Sequence, residues 1–145
     1  MAIDTTVDTL NSLLRGEISA VETYQQALAK IGSDRGASQL QQMHDEHVEA
    51  ANTLRQHVHL MGGKPEQGSG AWGSFATAVE GVAKLFGNTA AMKALKEGEE
   101  HGLHSYEAAL EEDELNDECK MLIRTRLMPQ TREHIAVLDQ LMASK

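Results

Sequence analysis

Residues 15–28 read Arg-Gly-Glu-Ile-Ser-Ala-Val-Glu-Thr-Tyr-Gln-Gln-Ala-Leu, and residues 97–110 read Glu-Gly-Glu-Glu-His-Gly-Leu-His-Ser-Tyr-Glu-Ala-Ala-Leu. Gly, Glu, Tyr, Ala and Leu coincide at an offset of 82 residues. A second correspondence follows each copy. Glu46-His47 with Leu54 matches Glu133-His134 with Leu141 at an offset of 87. The order of these matches says that a first helix resembles a third and a second resembles a fourth. In each copy the coinciding positions recur at helical spacing, so the repeated unit is a pair of helices.

Apolar residues extend that spacing into four long segments. The first helix is expected over about 6–31, with Leu10, Leu14, Val21, Tyr24, Leu28 and Ile31 on one stripe. Gly32 suits its C-terminal cap and Asp34 the N-cap of the next helix. The second helix runs over about 37–61 and ends at Gly62-Gly63-Lys64-Pro65, where glycine accepts a left-handed turn and proline cannot continue. Residues 62–87 form a long crossover, and its amphipathic part, Ser74 to Phe86, reads as a short helix. Trp72 and Phe75 are expected to pack from there onto the other helices. The third helix spans about 88–112, with Asn88 or Thr89 as its cap, and the fourth spans about 117–143. Pro129 lies inside the fourth, where it removes a hydrogen bond and crowds the preceding turn.

Composition agrees with this pattern. Only five residues are aromatic, so Leu, Ala, Val, Ile and Met must fill the core. Length suits a single domain, 1–145. The expected fold is therefore all-α, an antiparallel four-helix bundle of two hairpins joined by a long crossover. The net charge of −9 repels nucleic acid and anionic membranes and suits cations. No stretch is long and apolar enough for a membrane span. The start, Met1-Ala2-Ile3-Asp4, lacks the features of a signal peptide. Cys119 is the only cysteine, so a reducing, cytoplasmic setting is expected.

A heptad grid exposes polar residues where core belongs. The seams read Leu10, Leu14, Glu17, Val21, Tyr24, Leu28; then Leu40, His44, His47, Ala51, Leu54, Val58. The later two read Met92, Lys96, Glu99, Leu103, Tyr106, Leu110; then Leu127, Thr131, His134, Leu138, Leu141. An unpartnered buried charge costs several kcal/mol, so these groups should meet each other or a metal. Two Glu and two or three His converging in a bundle make a nitrogen–oxygen site for Fe, Mn or Zn. A buried Glu–His network without metal is the other reading of the same residues.

The opening Leu10-Asn11-Ser12-Leu13-Leu14 with Gly16-Glu17, the stretch Leu60-Met61-Gly62-Gly63-Lys64-Pro65-Glu66, and the second Gly98-Glu99 carry a resemblance. On them the chain resembles the ferritin-like superfamily, specifically a small bacterial family of ferritin-like four-helix-bundle proteins, a domain of unknown function. That resemblance implies the crossover topology, carboxylate-bridged di-iron chemistry in many members, and a metal-handling or small-oxidase role in stress physiology. The di-iron pattern takes a Glu from each odd helix and Glu-x-x-His from each even one. Glu17, Glu99, His47 and His134 fit it. His44 and Thr131 stand where the two even-helix Glu belong, so the bridging carboxylates of a symmetric di-iron centre are missing.

Depth complicates the set further. Counted from the first turn, Glu17 lies about eighteen residues away and His47 about twelve, a difference of ~8–9 Å at ~1.5 Å per residue. Glu22 is nearer the level of His47 but beside the seam. Metal candidates are therefore Glu17, His47, Glu99 and His134, with His44, Glu22 and His104 as further options. The implied cofactor is Fe or Zn, or none, and pairing of two bundles into a homodimer is open. His101 with His104 and His44 with His47 have i, i+3 spacing, which serves metals but also ordinary solvated faces. Tyr24 and Tyr106 each follow a seam Glu by seven residues and are expected to donate to that Glu. Gly16, Gly98 and Gly102 are expected to permit close helix approach. No sequence pattern supports hydrolase or nucleotide chemistry.

Overall fold

The computed structural model describes residues 2–31, 36–68 and 87–143, and every regular element among them is helical. Helix α1 covers Ala2–Ile31, α2 Ala37–Leu60, α3 Asn88–Leu110 and α4 Asp117–Leu122. A π-turn over Ile123–Leu127 then leads without interruption into α5, Met128–Ala143. No described helix is long and apolar enough to cross a membrane. The expected caps at Gly32 and Asp34, the crossover helix Ser74 to Phe86, and the packing of Trp72 and Phe75 lie outside the described residues.

Local chemistry explains the helix ends. Helix α2 closes as the Gly-Gly pair predicts. Gly62 has φ +78, its N–H donates to His59 O, and Gly63 N–H reaches back to Val58 O. These are the paired bonds of a Schellman end, which needs a left-handed residue. Helix α3 starts one position earlier than the predicted caps: Gly87 holds the N-cap position at φ +90, and Asn88 is already helical. At α4 the Asn116 side chain accepts from Cys119 N–H at 2.8 Å, satisfying a donor that the helix itself cannot.

The chain after α2 returns along α1. Asn11 donates to Lys64 O at 3.0 Å and accepts from Glu66 N–H at 3.0 Å, and Arg15 pairs with Glu66 at 2.8 Å. Thr6 donates to Glu114 O at 3.1 Å, which brings the turn after α3 to the start of α1.

Pro129 has no N–H, and its ring crowds the carbonyl four residues back. The π-turn sits just upstream of it, where Met128 N–H bonds to Ile123 O. One extra residue is thereby accommodated in a single wide turn. The buried residues Cys119, Ile123, Leu127 and Thr131 recur at every fourth position. That spacing drifts off an ordinary helical stripe, and the wide turn brings it back.

Two apolar clusters fill the interior. One gathers Leu10, Leu14, Ala50, Leu54, Leu127 and their neighbours. The other gathers Tyr24, Ala27, Leu40, Met43, Leu95 and Leu138. Along every helical span the chain passes from one cluster to the other, and a polar residue sits at the passage: Glu17, His47, Glu99 and His134.

Candidate metal centre

Those four side chains are buried, with exposures of 7, 4, 5 and 1% respectively. Helices α1, α2, α3 and α5 each supply one, because each heptad stripe carries its ionisable residue at the same depth. His47 lies at the middle, its Nδ1 2.6 Å from Glu17 Oε2 and its Nε2 2.7 Å from Glu99 Oε2. His134 Nδ1 is 3.2 Å from the same Glu99 Oε2, and its Nε2 is 2.7 Å from Glu46 Oε1. The two imidazole rings are 4.8 Å apart and tilted by 60°. Ligand atoms of His47, Glu99 and His134 all lie within 4.8 Å of one another, so this triad can hold a metal ion.

The tyrosines close the layer crosswise. Tyr24 donates to Glu99 Oε2 at 2.5 Å, and Tyr106 donates to Glu17 Oε1 at 2.7 Å. Sequence spacing pairs each tyrosine with the Glu seven residues before it, and the structure exchanges the partners. Seven residues are two turns, ~10 Å along one helix, which a phenol cannot bridge. The neighbouring helix presents its Glu at the right level instead.

Electrostatics follow from this enclosure. For His47, burial alone disfavours the imidazolium, but the charges of Glu99 and Glu17 and their hydrogen bonds outweigh it and raise the pKa well above 6.5. Burial likewise disfavours the Glu99 carboxylate, yet His47 and His134 hold its pKa well below the usual range. The phenols of Tyr24 and Tyr106 are pushed up by burial first and then by Glu99 and Glu17 respectively.

Glu17 and His47 meet directly, which removes the expected ~8–9 Å mismatch in level. Val7 and Val58 both close on Gly63. Residues of α1 and α2 whose numbers sum to the mid-sixties are therefore level, and 17 and 47 sum to 64. Glu22 is half-buried and faces a separate groove with Val48, Asn52 and Arg55. His104 and His101 are exposed. His44 is half-buried, with Nδ1 3.0 Å from Asp45 Oδ1; its Nε2 is the one buried side-chain polar atom among the described residues without a hydrogen-bond partner. Lys96, placed on the third seam by its spacing, turns outward to Asp139 at 2.8 Å, and Leu95 takes the core position.

Sequence reasoning missed Glu46 as a member of the site. Its signal was present, because the Glu46-His47 and Glu133-His134 pairs were both visible. A seam count nevertheless assigns only the histidine inward. Glu46 is one-third exposed and reaches His134 across the interface, whereas Glu133 is exposed.

A cleft of about 50 Å3 between α1 and α3 reaches Glu17, Tyr24, His47, Glu99, Tyr106 and Thr131. Its walls are small: Gly16, Ser19 and Ala20 on one helix, Gly98, Gly102 and Ser105 on the other. A methyl group placed on Gly16 or Gly102 would meet nothing within 4 Å. At these two positions glycine leaves open space beside the carboxylates, in place of the tight helix contact expected.

The family described as "Domain of unknown function (DUF2383)" matches residues 5–112. That span contains Glu17, Glu46, His47 and Glu99 and stops before His134. No curated protein and no solved structure matches the chain.

Proposed function

The chain belongs to the DUF2383 family, a domain of unknown function, and we propose that it is a metal-binding protein built as a ferritin-like, antiparallel four-helix bundle. Iron or zinc is the ion of this reading, and metal handling or a small oxidase activity is the role. The observation that carries it is the buried layer in which three helical spans bring ligand atoms of His47, His134 and Glu99 within 4.8 Å of one another. Imidazole nitrogen and carboxylate oxygen suit both metals. The charge of −9 favours cations reaching the protein. The antiparallel arrangement is supported by the level pairing of Glu17 with His47 and by the crossed Tyr24–Glu99 and Tyr106–Glu17 bonds.

A second reading has its own observation. Both ring nitrogens of His47 and of His134 already face carboxylate oxygens within hydrogen-bond distance, so a closed Glu–His–Tyr network can stand without metal. In that case the polar layer fixes helix register, and the protein is a structural or interaction bundle.

Elemental analysis of native protein, purified without chelator or affinity tag, separates the two. The metal reading expects stoichiometric Fe or Zn that disappears in His47→Ala and His134→Ala. It also expects a metal-dependent rise in Tm, since an ion that binds only the folded chain stabilises it by mass action. The network reading expects no metal and a partial recovery of stability in the double variant Glu99→Leu with His134→Leu, because an apolar pair needs no partner.

A further inference from the structure

Each of the two buried imidazoles divides its nitrogens between different carboxylates. His47 turns Nε2 to Glu99 Oε2 and Nδ1 to Glu17 Oε2. His134 turns Nδ1 to that same Glu99 oxygen and Nε2 to Glu46 Oε1. Both rings thus have an inner nitrogen aimed at one shared oxygen and an outer nitrogen backed by a carboxylate of its own. A metal-bound imidazole characteristically gives its other N–H to a carboxylate, which fixes the tautomer and the ring's orientation. Resting on the metal-binding reading, we propose that the centre takes a single ion on Glu99 Oε2, His47 Nε2 and His134 Nδ1, with Glu17 and Glu46 as positioning residues and not ligands.

The count of one ion follows from the carboxylates. A two-ion centre holds its metals ~3.5–4 Å apart and clamps them with groups that both can share. Among the described residues Glu99 is the only carboxylate that both histidines face. Both oxygens of Glu17 are engaged, Oε1 by Tyr106 and Oε2 by His47. Of the two imidazoles Glu46 meets His134 alone, at its far nitrogen, and it is one-third exposed. Three protein ligands leave a fourth position on a tetrahedral ion, the pattern of sites that exchange water or a small ligand. The cleft between α1 and α3, about 50 Å3 and lined by Glu17, His47, Glu99 and Thr131, has room there for a water-sized group. The ligand class for that position is accordingly water or a small anion, with no space for a bulky chelate.

Co(II) titration of the metal-free protein tests the assignment, since its visible absorption reports the ligand set. Saturation at one equivalent is expected, and azide should shift the bands by entering the open position. Glu17→Gln and Glu46→Gln should weaken binding about 10–100-fold while leaving the band positions in place. Glu99→Gln and His134→Ala should erase the spectrum, with folding checked by circular dichroism. A second equivalent bound at the centre overturns the assignment but leaves metal binding standing. Loss of the spectrum in folded Glu17→Gln does the same, and so does indifference to azide. A parent protein that takes up no Co(II) overturns both the assignment and the proposed function.

Discussion

The two halves of the molecule carry the same motif and use it differently. In the α1–α2 half, Glu17 collects two donors, His47 and Tyr106. In the α3–α5 half, Glu99 collects three on one oxygen: His47, His134 and Tyr24. Glu46 turns to the site while its counterpart Glu133 stays exposed. Among the described residues only the second half contains a π-turn. The repeat therefore supplies a twofold frame of crossed Tyr–Glu bonds, and the departures from it set the centre on the Glu99 side. A duplicated motif does not oblige a duplicated site.

The strongest way to break this comparison is to remove the two carboxylates one at a time. Glu99→Ala strands three buried donors, one of them on a charged imidazole, and should cost about 3–5 kcal/mol in metal-free protein. Glu17→Ala strands two and should cost about 2–3 kcal/mol. Urea unfolding measures both, and equal losses would mean that the two halves share the load evenly.

Proton linkage sharpens the same contrast. The folded pKa of His47 is raised above its unfolded value of 6.5. Its contribution to stability is thus fully present below about pH 6.5 and is lost as pH rises through the folded pKa. The Glu99 pKa is depressed below 4.5, so its contribution is present above that pH and fades on acidification. Stability of the metal-free protein should fall on both sides of an intermediate maximum. Because the charge of Glu99 raises the His47 pKa more than the charge of Glu17 does, and glutamine removes the charge, the alkaline fall should shrink more in Glu99→Gln than in Glu17→Gln. Unfolding curves across the pH range test the order.

The smallest effect concerns the matched Glu pair. Glu46→Ala removes a partly exposed bond to His134 and should cost about 1 kcal/mol. Glu133→Ala should stay within about 0.5 kcal/mol of the parent. Thermal unfolding of the two variants, read side by side, would expose any hidden role for Glu133 if their losses matched.

Much of this was legible in the residues. The stripes through Leu10, Leu40, Met92 and Leu138 and the Gly62-Gly63 stop are local signals, and local signals survive in a single sequence. The inward placement of Glu17, His47, Glu99 and His134 was legible too, because a polar residue on an apolar stripe is conspicuous. Partner choice was not. Tyr24 cannot reach Glu17 along its own helix, and which residue of a neighbouring helix it meets instead depends on how the helices align, which a single stripe does not encode. Glu46 escaped for a related reason: it sits beside the seam, and only the crossing of α2 with α5 brings it to His134.

The π-turn has one more consequence, which concerns phase. Upstream, Cys119, Ile123 and Leu127 set one rhythm of buried positions; downstream, Thr131, His134 and Leu138 set another. A rigid α-helix would keep one rhythm by turning the other toward water. The wide turn works as an expansion joint, absorbing about a quarter-turn of mismatch so that both rhythms face inward. His134 owes its direction to that joint as much as to any neighbour it touches.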